Sequence, residues 1–153
     1  MLKVVLVHPE IPFNTGNVGR TCAAAGAELH LVAPLGFSLS ERRLRRAGMD
    51  YWERLNPRIH ESLASFIKEL PPDADVLAFS AEGKSTHWEA SYRADSWLVF
   101  GSESSGLPAE LRARWSERLY RVPMVPGTRS LNLSTAAAVV VYEALRTHGP
   151  TRA

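Results

Sequence analysis

Cysteine is almost absent from this 153-residue chain: Cys22 stands alone, so no intramolecular disulfide can form and no thiolate zinc site can be assembled. The five histidines, at positions 8, 30, 60, 87 and 148, show no metal-ligand spacing, which leaves no bound metal expected. Long apolar runs are missing too; none approaches the roughly 20 residues that cross a bilayer. The opening MLKVVLVHPE has one short apolar stretch and no small-residue cleavage site, so neither secretion nor a membrane is expected, and the cytoplasm is. Two phosphate-binding fingerprints, the full GxxxxGK[ST] and GxGxxG, do not occur. Lysine is scarce: only positions 3, 68 and 84 among 18 basic residues, the rest being arginine. A planar guanidinium fork suits phosphates and bases, but genomic composition explains the same excess, and a net charge of +2 does not decide between them.

What is present describes an ordinary soluble domain, with 45% hydrophobic and 22% charged residues, long enough for a single core. Near-continuous apolar runs at 2–7, 28–32, 76–79 and 97–100, with a shorter one at 119–122, read as strands. Helices are expected from about 17 to 25, over 41–47 behind Ser40 and ending at Gly48, over 61–70, and from 133 to 147. In the third of these, Leu63, Phe66, Ile67 and Leu70 fall on one face, and Pro71-Pro72 ends it. Strands that are apolar throughout and alternate with helices indicate an α/β fold: a single domain, 1–153, with a mostly parallel sheet covered by helices on both faces.

Three glycine-bearing segments follow strands and make a binding site the leading functional hypothesis. The first, NTGNVGR at 14–20, reads as a turn opening a helix, with Arg20 one turn beyond Asn17. The second, LVFGSESSGLP at 98–108, carries one acid, Glu103, which either takes part in chemistry or braces the loop. The third, 122–143, runs through Pro126, Gly127 and Arg129 into a helix that Asn132 or Ser134 can cap. Its small and β-branched residues, 136–141, suit close packing against a core or a second subunit. Elsewhere, Arg42, Arg43, Arg45 and Arg46 form a dense positive patch, either a solvated face or an RNA-backbone contact. The four tryptophans, 52, 88, 97 and 115, read as core or interface anchors.

Taken together and in this order, the three segments, with PEIPFNTGN and LRRAGMDYW, resemble the SPOUT superfamily of RNA methyltransferases in its SpoU ribose-methylating class. The resemblance spans nearly the whole chain and implies S-adenosylmethionine as cofactor, a C-terminal trefoil knot and a homodimer. It places cofactor contacts at Phe79, Gly101, Val122, Ser130 and Leu131, largely through backbone, with Phe79 where the class usually has an aliphatic residue. It assigns catalysis to Arg20, with Asn17 and Glu103 as motif companions, and substrate contacts to Arg20, Arg129 and Tyr142. The members it most resembles methylate the wobble ribose in the anticodon of tRNA. Other tRNA or rRNA positions, and a noncatalytic RNA-binding role, remain alternatives; a generic doubly wound nucleotide-binding protein is disfavoured by the missing fingerprints.

Overall fold

The computed structural model describes residues 1–40 and 52–149. The helix expected over 41–47, with the arginine patch it carries, therefore lies outside the described residues. The strands are β1 (Lys3–Val7), β2 (Glu28–Val32), β3 (Arg58–His60), β4 (Val76–Phe79), β5 (Ser85–Thr86), β6 (Trp97–Phe100) and β7 (Leu119–Arg121). The helices are α1 (Pro12–Ala25), α2 (Trp52–Leu55), α3 (Leu63–Glu69), α4 (Ala109–Arg114) and α5 (Leu133–His148). Among the described residues every strand pairing is parallel, in the order β3-β2-β1-β6-β4-β7-β5.

Side-chain alternation along the strands divides the core into two layers. Val4 and Leu6 of β1, Leu29 and Leu31 of β2, and Leu98 and Phe100 of β6 pack against Val18 and Cys22 of α1 and Ala137, Val140, Val141 and Ala144 of α5. Val5, Val7, Val76, Ala78 and Val99 face the other way, against Phe66 of α3 and Leu111 of α4. With both faces covered, the strands have no polar side to show, which is why they read as continuous apolar runs. Each fully buried Val or Leu contributes roughly 1.5–3 kcal/mol. Cys22 is wholly buried as a core thiol, and burial pushes its pKa up to about 12.

The second layer also holds a polar pair. His30 Nδ1 and His60 Nε2 lie 3.0 Å apart, so one ring donates to the other, while Glu69 sits 3.1 Å from His60. Burial is the main reason both imidazoles titrate below the usual histidine range; the neighbouring ring adds to the effect at His30.

The sequence reading of α1 needs correction. The helix begins at Pro12, so 14–20 is helical and not a turn. Pro12 suits the first helical position, where no N–H is required. The two glycines of NTGNVGR lie inside the helix. A Cβ on Gly19 would come within 2.9 Å of the Trp52 ring, so glycine there lets α2 seat against α1. Of the tryptophans, Trp52, Trp97 and Trp115 pack on the core, but Trp88 is 66% exposed. Among the described residues no helix is long and apolar enough to cross a membrane.

Candidate active site

In a parallel sheet all strands end on the same side, and a crevice opens where the connections diverge. Here β6 lies between β1 and β4, and the chain then passes to the far side of β4 to form β7. The segments following β4, β6 and β7 therefore meet with the start of α1 at one edge. Between them lies a cavity of about 490 Å³, within the range of small-molecule sites.

The wall after β6 depends on glycine. Ser102 and Gly106 exchange two backbone hydrogen bonds, folding 102–106 back over Gly101. A Cβ on Gly101 would lie 2.0 Å from the carbonyl carbon of Gly106, so no larger residue fits. Gly106 itself turns the chain at a φ of +65°.

Glu103, at the tip of that turn, reaches across to α1. Its carboxylate accepts the backbone N–H of Glu10 at 2.7 Å, that of Ile11 at 3.0 Å and the Nδ2–H of Asn14 at 3.2 Å. The N-cap residue of α1, Ile11, has no side chain able to cap, so an acid 92 residues away does so. Glu10 answers in the opposite direction, accepting from Ser104 Oγ at 2.5 Å and from Ser104 N at 3.3 Å. The side chains of Ser104 and then Ser102 hold the Glu10 carboxyl below the usual carboxylate range.

The chain of contacts continues into the third segment. Asn14 Oδ1 accepts from Asn132 Nδ2 at 2.8 Å, and Asn132 Oδ1 caps α5 by accepting from Ser134 N at 2.9 Å and Thr135 N at 3.4 Å. Glu103, Asn14 and Asn132 thus tie together the starts of α1 and α5 and the wall after β6. The capping role expected of Asn132 is present; Asn14 was not singled out in the sequence, because its value lies entirely in partners 89 and 118 residues away.

All five residues expected to contact cofactor, Phe79, Gly101, Val122, Ser130 and Leu131, line the cavity, and so does Glu103. Phe79 and Phe100 stack with centroids 5.0 Å apart and planes 17° off parallel, forming an apolar floor. The remaining expected site residues are not brought to it. Asn17 and Arg20 lie further along α1; Arg20 is six residues past Asn14, about 9 Å along the axis, and exposed. Arg129 is exposed on the loop before α5, and Tyr142 is 53% exposed on the helix itself. Conversely, Glu82 and Arg112 line the cavity without having been expected there. Among the described residues no group of three or more His, Cys, Asp or Glu side chains is placed to hold a metal ion.

Known proteins share this sequence and this fold. The chain belongs to the SpoU methylase family: the model described as the SpoU rRNA Methylase family matches residues 1–142. Among individual relatives, a Burkholderia cenocepacia protein named tRNA (cytidine(34)-2'-O)-methyltransferase is 50% identical over 151 residues, covering 97% of each chain. A solved structure described as giving structural insights into the 2-OH methylation of C/U34 on tRNA superposes with a TM-score of 0.93 at 50% identity, covering 97% of this chain and 96% of its own. An AdoMet-bound rRNA methyltransferase from Sinorhizobium meliloti gives a TM-score of 0.81 at 29% identity, over 98% of this chain and 57% of that one.

Proposed function

We propose that this protein is an S-adenosylmethionine-dependent methyltransferase that modifies the ribose 2′-hydroxyl of the wobble nucleotide in the tRNA anticodon. The observation that carries this reading is the convergence of Phe79, Gly101, Val122, Ser130 and Leu131, from three separate segments, on one cavity of cofactor size. Its apolar floor suits a flat heteroaromatic base, and the backbone of 101–106 supplies polar groups at close range. Near-full-length similarity to proteins named for modification of position 34 supports the choice of substrate.

The cofactor supplies an electrophilic methyl group on a sulfonium. The protein must then deliver a ribose hydroxyl in line with it and stabilise charge as the O–C bond forms and the methyl–sulfur bond breaks, with the neutral thioether leaving. A guanidinium only donates hydrogen bonds. Arg20 therefore acts by holding the phosphate beside the target ribose and stabilising the developing alkoxide, while that phosphate takes the proton. Asn17, one turn earlier on α1, orients the same group. Glu103 acts through α1: by fixing the start of that helix it sets where Arg20 stands. Arg129 and Tyr142 contact the RNA.

Because Arg20 is remote from the cavity along α1, the reading includes a homodimer in which Arg20 of one subunit serves the cofactor of the other. Exposed apolar side chains on both helices of that layer, Phe13 on α1 and Val139 and Tyr142 on α5, support such a contact. The trefoil knot belongs to the same reading. Its support is the tight crossing of the 80–84 segment by β7, where Ser80 N–H donates to Tyr120 O at 2.9 Å and Arg121 Nη1 to Gly83 O at 2.8 Å. The cytoplasm, where tRNA is found, completes it.

The test is transfer of labelled methyl to tRNA lacking wobble methylation, with the label mapped by nuclease digestion. Label on the wobble ribose is expected, and Arg20→Ala should reduce it by roughly 100-fold or more. If Arg20→Lys keeps most activity, charge alone suffices; loss in both variants supports the planar fork. Mixing Arg20→Ala with a cofactor-defective variant separates the arrangements. A shared site regains activity in mixed dimers, whereas a site built within one chain does not. Label at another nucleotide would reassign the substrate.

A further inference from the structure

The charged lining of the cavity includes a pair to which the reading above gives no task. Among the described residues that line it, Arg112 is the only Lys, Arg or His. Arg112 extends from α4, and Glu82 from the segment after β4; Arg112 Nη1 donates to Glu82 Oε2, so the ion pair joins two walls of the cavity. Another donor of the guanidinium is unsatisfied: Nε is buried and has no hydrogen-bond partner. A buried N–H without an acceptor is unfavourable, and a shift of the side chain that brings it to a ligand oxygen in the cavity would relieve it. Glu103, the other carboxylate of the lining, already accepts from three donors of its own chain.

We propose that Arg112 and Glu82 form the subsite for the amino-acid end of S-adenosylmethionine. Nε–H of Arg112 donates to the α-carboxylate, and Glu82 braces the guanidinium while accepting from the α-ammonium. This rests on the reading that the cavity holds that cofactor, and adds which side chains recognise the zwitterionic end. The argument is one of charge complementarity. The Phe79–Phe100 floor and the glycine wall suit the adenosine, which carries no net charge. The amino-acid end carries one charge of each sign, and an ion pair of the chain facing the same cavity offers the matching two. A guanidinium edge is the group best shaped to meet a carboxylate.

The test is calorimetric titration, without RNA, of wild type, Arg112→Leu, Arg112→Gln and Glu82→Gln, using S-adenosylmethionine and its decarboxylated analogue. Arg112→Leu should weaken S-adenosylmethionine binding by roughly tenfold to a hundredfold. The decarboxylated analogue should bind wild type and Arg112→Leu about equally. Glu82→Gln should cost S-adenosylmethionine several-fold, since the brace and one acceptor are lost. Arg112→Gln keeps a polar side chain at the position and should reproduce the selective loss, with unaltered thermal melting of the free protein excluding a folding defect. Equal losses for both ligands, or no loss, would overturn the proposal. If wild type bound neither ligand, the cofactor reading itself would fall, a result distinct from these.

Discussion

The two glycine-bearing walls of the cavity are built on opposite plans. The wall after β6, 101–107, is bound to the rest of the molecule at nearly every turn, through the Ser102–Gly106 pair, the three donors on Glu103 and the Ser104–Glu10 contact. The wall after β7 is exposed throughout 124–131, and its local ties are the N–H and Oγ–H of Thr128, both given to Val125 O. Val125 is 72% exposed. One wall is preorganised; among the described residues the other has few ties to lose by moving, and we expect it to be the wall that adjusts to a ligand.

Gly101→Ala attacks the fixed wall where it has no slack. With a methyl group placed 2.0 Å from backbone carbon, the turn must open, and we expect a loss of several kcal/mol in urea unfolding together with loss of cofactor binding. Glu103→Ala removes the cap of α1 and leaves three donors without an acceptor; about 2 kcal/mol of destabilisation is expected, with a fall in activity that exceeds the fall in cofactor affinity. A fall in affinity alone would show that Glu103 serves the cavity and not the helix.

Acid gives a control far from both walls. Folded His30 and His60 titrate below the ordinary histidine pKa, mainly because they are buried, so the unfolded chain binds more protons as the pH falls below about 6.5. Stability should therefore be fully present above that pH and decline below it. Urea midpoints between pH 7.5 and 5 measure the slope, and His30→Asn should flatten it. At the small end, Thr128→Ala should change stability by less than about 0.5 kcal/mol. Hydrogen exchange of 124–131 should be fast in the free protein and slowed by S-adenosylmethionine, with 102–106 protected in both states. Equal exchange of the two walls would erase the contrast drawn between them.

Much of the scaffold was legible in the sequence because burial on both faces leaves a continuous apolar run: β1, β2, β4 and β6 lie where those runs fall. The stripe of Leu63, Phe66, Ile67 and Leu70 likewise faces the core. β3 and β5 were missed because strands of three and two residues carry no period to detect. α2 and α4, of four and six residues, were missed for a similar reason. The start of α1 was misplaced because Asn, Thr and two glycines signal a turn locally, while the cap that makes them helical comes from Glu103. The cavity lining followed from the family resemblance, not from periodicity. Arg112 and Glu82 were invisible to both, since each looks like a surface charge until the fold faces them toward each other.

The chain that runs from Glu103 through Asn14 to Asn132 also fixes an order of events during synthesis. Every described strand has been made once residue 121 is added, yet Asn132, the lining at 130–133 and all of α5 are still to come. Until they do, Asn14 has Glu103 but not Asn132, and the first layer of the core lacks Ala137, Val140, Val141 and Ala144. A chain cut before residue 130 thus has the residues of every described strand but not the whole lining of the crevice, and we expect it not to retain S-adenosylmethionine.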